Sequence, residues 1–184
     1  MMDALTALQT RTAAPRLVAP APAAAELEQV LKAGLRAPDH GMLRPWRFLV
    51  VEGEAALAKL GELFVAARQP QGEDQIKKLR EAPLRAPMVI IAVATIRNPE
   101  QIPALEQILS AGAAVQNMSV ALHALGYGSI WRTGGVCYDE RVNLALGLAT
   151  TDQIVGYLYV GTPTFRERPV PELQISDFVQ RWPA

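Results

Sequence analysis

One cysteine and two histidines among 184 residues remove whole classes of chemistry before any motif is sought. Cys137 alone closes no internal disulfide, so a buried core has to hold the fold. His40 and His123 lie far apart and neither stands at ligand spacing from a cysteine, so no metal site can be read. Charge of one sign is missing too, since 18 basic and 18 acidic residues cancel. The surface as a whole therefore attracts neither nucleic acid nor an anionic membrane, and any anion site must be local. Nor is there an uninterrupted apolar run of membrane length: the longest charge-free stretch, 107–131, is broken by Gln107, Ser110, Gln116, Asn117, Ser119 and His123. No charged-then-apolar leader precedes the first periodic segment, which together with the single cysteine gives the expectation of a cytoplasmic protein. A Gly-x-Ser-x-Gly elbow and a phosphate-cradling glycine run are both absent, which sets aside serine-hydrolase and nucleotide-triphosphatase chemistry.

What is present reads as one domain over 1–184 with helices and strands interleaved. Asp3 is placed to cap a short helix to about Thr10, with Leu5 and Leu8 on its inner side. Three prolines, Pro15, Pro20 and Pro22, keep 14–22 extended. Leu27, Val30, Leu31 and Leu35 make a stripe at helical spacing over 24–36. A strand is expected at 47–52, a helix at 54–67, and a continuous apolar strand at 88–95, covered on both faces in the middle of the sheet. The polar segment 68–82, broken by Pro70 and Gly72, reads as a mobile cover, with Ile76 and Leu79 allowing a short helix. The charge-free stretch 107–131 predicts a long helix surrounded nearly all round, by other elements or by a second copy of the chain, and then a tight turn into a strand. A helix at 139–146 and a strand at 154–161 follow. The pattern fits an α+β protein with a mixed central sheet flanked by helices. A doubly wound dinucleotide fold competes poorly, because Gly126-x-Gly128 lacks its third glycine and precedes a strand.

Two places concentrate chemistry. Arg36, His40 and Arg44 sit in a loop where Pro38 and Pro45 stop a helix and begin an extended entry to a strand. Arg132 stands beside Ile130 and Trp131 in an otherwise uncharged region, where a buried guanidinium costs several kcal/mol unless an anion or carbonyl meets it.

These residues resemble the nitroreductase family of FMN-dependent oxidoreductases, in particular its small NAD(P)H nitroreductase subfamily. The likeness spans almost the whole chain. It rests on Met2-Asp-Ala-Leu5 with Arg11 and Arg16, on Leu31-Lys-Ala-Gly-Leu-Arg-Ala-Pro-Asp-His40 followed by Pro45-Trp46, and on Arg85-Ala-Pro87 and Ser110-Ala-Gly112. It continues through Gly128-Ser-Ile-Trp-Arg-Thr-Gly134 and Ile154-Val-Gly-Tyr-Leu-Tyr-Val-Gly-Thr-Pro163.

The resemblance implies a nitroreductase-like homodimer with a long buried central helix and FMN at the subunit interface. By position, Arg11, Thr12 and Ala13 correspond to the first FMN segment, Arg36 and His40 to contacts made from the partner chain, and Trp131, Arg132 and Thr133 to a third segment. The first segment reads Arg-Thr-Ala where the family usually has Arg-Arg-Ser; Arg16 is the nearby cation that can compensate. The subfamily's pyridine-nucleotide segment matches Ala121, Leu122, His123, Ala124, Leu125 and Gly126, although His123 is also readable as a satisfied core histidine. The implied activity is transfer of a hydride from NADH or NADPH through FMN to a nitroaromatic, quinone or related small-molecule acceptor, in ping-pong fashion and with no catalytic side chain beyond the flavin. Arg68 and Arg80 are available to the extra phosphate of NADPH. The alternative is an FMN-binding dimer that serves as flavin carrier or interaction module with little turnover.

Overall fold

The computed structural model describes residues 2–164 and 169–183. In chain order the elements are α1 (Ala4–Thr10), β1 (Leu17–Val18), α2 (Ala24–Gly34), β2 (Trp46–Glu52), α3 (Glu54–Arg68), α4 (Glu73–Glu81), β3 (Met88–Ala94), α5 (Ala104–Ala124), β4 (Gly128–Arg132), α6 (Glu140–Ala145) and β5 (Gln153–Pro163). Four short 3-10 turns join them, at His40–Met42, Pro83–Arg85, Gly135–Cys137 and Ile175–Asp177.

β3 sits between β5 and β2 and is buried at all seven positions, as its apolar run predicts. Strand alternation divides it between two cores. Val89, Ile91 and Val93 face Leu57, Leu60 and Phe64 of α3, while Met88, Ile90 and Ala92 face Val30 of α2 and Val115, Met118 and Leu122 of α5. β4 pairs with β5 on the side away from β3, and β1 pairs with the far end of β5.

The expected mixed sheet is corrected in one respect: every neighbouring pair among the described residues is antiparallel. β3 and β4 do run in the same direction, since α5 crosses over between them, but β5 is inserted in the gap and opposes both.

Within one chain α5 buries a single face, Gln107, Ala111, Ala114, Val115, Met118, Ser119 and Leu122, while Leu105 and Leu109 are 65% and 63% exposed. The sheet and α2 cover the buried face, and α1 and the His40–Met42 turn touch the helix near its two ends. Buried Gln107 is satisfied: its amide donates to the Arg97 and Ile102 carbonyls and accepts from the Arg97 N–H, tying the 95–103 loop to the helix. In α1, Asp3 caps as expected, accepting from Leu5 N and Thr6 N at 3.1 Å. Leu5 and Leu8, however, face outward at 67% and 54% exposure, because the small Ala7 is what the helix turns inward.

The 68–82 segment is largely helical. α4 lies so close to α3 that a side chain at Gly61 would run into the carbonyl of Arg80, and Arg80 forms an ion pair with Glu62. Gly61→Ala must therefore push the two helices apart. We expect it to destabilise the protein by about 1–3 kcal/mol, read as a lowered urea midpoint; an unchanged midpoint would show the α3–α4 packing to be looser than described.

Candidate active site

β4 carries two large side chains to opposite faces of the sheet. Trp131 lies on the α5 face, packed against Gly112, with its indole N–H donating to the Val155 carbonyl at 3.2 Å. A Cβ at Gly156 would collide with that indole nitrogen, so the Gly156 position in β5 is required by the tryptophan. Arg132, one residue on, faces the α3 side. Its guanidinium carbon stands 5.8 Å from the centre of the Tyr159 ring, within cation–π range. Its Nε is buried and has no hydrogen-bond acceptor.

Arg132 and Arg85, from the Pro83–Arg85 turn, form a shared wall between two cavities. One, of about 400 Å³, is lined by Pro15, Arg16, Leu17, Arg85 and Arg132. The other, of about 380 Å³, is lined by Phe64, Leu79, Ala82, Arg85, Arg132, Thr133, Gly134, Val136, Tyr157 and Tyr159. Among the described residues, no carboxylate lines either one. Burial raises the Tyr159 phenol pKa while the positive charges of Arg85 and Arg132 pull it back, and the net shift is upward. Tyr159 therefore remains a protonated donor at neutral pH. Burial likewise raises Tyr157 and pushes the Cys137 thiol up to about 12, so Cys137 is a core residue and not a nucleophile.

The rim of the second cavity is anchored by ion pairs. Asp139 accepts from Arg141 Nε at 3.0 Å and from the Arg141 terminal nitrogen at 2.8 Å, and also from Arg68 at 3.1 Å. Arg68 donates as well to the Gly135 carbonyl at 3.0 Å. The end of α3 is thereby tied to the 134–139 loop. Arg68 and Arg80, offered by sequence to a nucleotide phosphate, are thus already engaged with Asp139 and Glu62.

The other sequence-derived residues fall into three places. The segment Arg11, Thr12, Ala13 leaves α1 and runs beside β4, where the N–H of the next residue, Ala14, donates to the Ser129 carbonyl at 3.0 Å. It approaches the opposite end of β4 from Arg132, ~10 Å away at the usual strand rise. Arg36 is exposed just beyond α2, and His40 Nδ1 meets Glu106 of α5 at 2.6 Å. Their loop is held as its prolines imply: Asp39 accepts from the Arg44 N–H at 2.7 Å, and Gly41, at φ 67°, packs on Ile102. Neither Arg36 nor His40 lines the two cavities of its own chain. Residues 121–126 form the end of α5, where His123 Nε2 pairs with Thr10 of α1 at 2.8 Å. Sequence reasoning assigned no role to Arg85, Tyr157 or Tyr159. Their only signals were the Arg-Ala-Pro motif and the alternate positions of two tyrosines in an apolar strand.

The Nitroreductase family profile matches residues 17–162. The Escherichia coli (strain K12) protein named "Putative NAD(P)H nitroreductase YdjA" is 43% identical over 166 residues, covering 90% of this chain and 91% of that one. Among solved structures, a nitroreductase-like family protein from Bacillus cereus superposes with a TM-score of 0.86 at 21% identity, covering 100% of this chain and 98% of its own. A Desulfovibrio desulfuricans protein determined in complex with FMN does so at 0.76 and 21% identity, covering 100% and 99%. At these identities the two structures speak to the fold.

The Asp139 network generates a pH prediction. Hydrogen bonds from Arg141, helped by the charge of Arg68, hold the Asp139 carboxyl down to about 2 from an ordinary 3.8. A depressed folded-state value means the stabilisation is complete above about pH 4 and is lost as pH falls toward 2. The urea midpoint of wild type should exceed that of Asp139→Asn at pH 5, and the gap should close on acidification through that window. Coincident midpoints at pH 5 would refute an anchoring role.

Proposed function

This chain belongs to the nitroreductase family, and from that premise we propose that it is an FMN-dependent oxidoreductase using NADH or NADPH as electron donor. The observation that carries the reading is the buried, acceptorless Nε of Arg132 beside a cavity that Arg16 also lines, with no carboxylate among its described lining residues. A donor so placed fits a ligand rich in oxygen acceptors and negative charge, as a flavin phosphate and pyrimidine edge are. Arg132, Thr133 and Trp131 would hold the flavin from one side, with Arg16 and the Arg11–Thr12–Ala13 segment alongside. Arg36 and His40, which stay away from their own chain's cavities, are assigned to the site of a second copy.

When bound, FMN supplies the two-electron chemistry, accepting a hydride from the nicotinamide and passing reducing equivalents to a nitroaromatic, quinone or related acceptor in a ping-pong cycle. The protein's own share is positioning and electrostatics. Arg132 donates toward negative charge, Trp131 fixes the end of β4 against Gly156, and segment 68–82 acts as a cover over the Tyr159 cavity. A pyridine-nucleotide role for residues 121–126 would rest on the apolar end of α5, since His123 is committed to Thr10.

The dimer is supported by apolar side chains that the single chain leaves uncovered: Leu105 and Leu109 on α5, Leu5 and Leu8 on α1, and Ile175, Phe178 and Trp182 near the C-terminus. Large apolar side chains left in water in this way favour an interaction surface. A single domain in a reducing, cytoplasmic setting agrees with one buried cysteine.

The test is spectroscopic. Purified protein loaded with FMN should be yellow, sediment at twice 20.0 kDa, bleach anaerobically with NADH or NADPH, and recover its colour with nitrofurazone or menadione. Yellow protein that neither nucleotide bleaches would favour the flavin-carrier reading, and failure to take up FMN at all would defeat both.

A further inference from the structure

We propose that the cavity on the α3 side of Arg132 binds the carboxylate of a flat aromatic compound, and that Arg85 is the residue selecting for it. As a statement about electron acceptors this rests on the oxidoreductase reading above; as a statement about binding it stands by itself. The cavity's volume of about 380 Å³ lies in the range of small-molecule sites, ~300–1,000 Å³. Its walls divide by chemistry. Phe64, Tyr157, Leu79 and Val136 offer aromatic and aliphatic surface, and Phe64 and Tyr157 already meet edge to face at 5.4 Å. The same lining includes Arg85 and Arg132, whose positive charges both act on the Tyr159 phenol.

Two features make the arginine-bearing part of the lining a carboxylate site. It holds two guanidinium groups with no acidic residue among the described lining side chains, and with Arg132 assigned to the flavin, Arg85 is the cation left to meet a second anion. The planar fork of a guanidinium matches the two oxygens of a carboxylate, and aromatic walls exclude the water that weakens such a pair at an open surface. The apolar majority of the lining, in turn, favours a ligand whose bulk is an aromatic ring over a bare inorganic anion.

Arg85 is exposed at the end of its turn and has no hydrogen bond to a carboxylate among the described residues, so its replacement should leave the fold intact. The test compares 4-nitrobenzoate with its neutral analogue 4-nitrobenzamide as acceptors for the FMN-loaded protein, in wild type and Arg85→Gln. The variant should lose about tenfold in kcat/KM for the carboxylate, chiefly through KM, a change of ~1.4 kcal/mol. The amide should change far less, and the flavin-to-protein ratio should hold. Equal losses for both compounds, no loss for either, or a variant stripped of FMN would each overturn the assignment. If wild type reduces neither compound, bleaching by NADH or NADPH decides the oxidoreductase reading separately, and calorimetric titration with benzoate decides the site. Saturable binding to wild type that disappears in Arg85→Gln upholds it, and absence of binding to wild type refutes it.

Discussion

The buried Nε of Arg132, which meets no acceptor, is the constraint around which the site of this protein is organised. Arg132 ends an edge strand, its Nε is shielded from water and meets no acceptor, and its charge lies over the Tyr159 ring. Leaving a buried donor in that state is unfavourable by an amount comparable to a good hydrogen bond, and an acceptor on a bound ligand would recover it. Among the described residues, the cavities on either side of Arg132 contain no carboxylate that could do so from within.

The surrounding structure holds that side chain in place. Pairing of Arg132 with Tyr157 and of Ile130 with Tyr159 sets the register of β4 on β5, and Trp131 locks the strand from the opposite face through Gly156 and Gly112. The Asp139 ion pairs fasten the loop after β4 to the end of α3, and α4, packed against Gly61, brings Leu79 and Ala82 to the same cavity. Both core clusters meet on β3, so the sheet that presents Arg132 is the best-buried part of the molecule. Positioning is paid for by the core, and the site itself is left with unmet donors.

Much of this was legible in the sequence where a single residue broke a local pattern. Arg132 stood out as a charge in an uncharged stretch, β3 as an unbroken apolar run, Asp3 as a cap, and the 36–45 loop as a segment closed by two prolines. Features that depend on which elements meet were not legible. Arg85, Tyr157 and Tyr159 come together only through strand register and the turn after α4, neither of which leaves a local signature. The exposure of Leu5 and Leu8 was missed for the related reason that helical periodicity identifies an apolar face without saying whether the same chain covers it. Arg68 and Arg80 looked available because their acceptors, Asp139 and Glu62, are brought to them by tertiary packing.

The most direct measurement is the FMN dissociation constant of Arg132→Ala beside that of wild type, each taken by fluorescence titration of flavin-free protein with matched thermal stability. A ligand that completes the buried guanidinium should bind the variant at least about tenfold more weakly. Equal affinity in the two proteins would contradict the account, because the unmet donor of Arg132 would then have no part in holding the flavin.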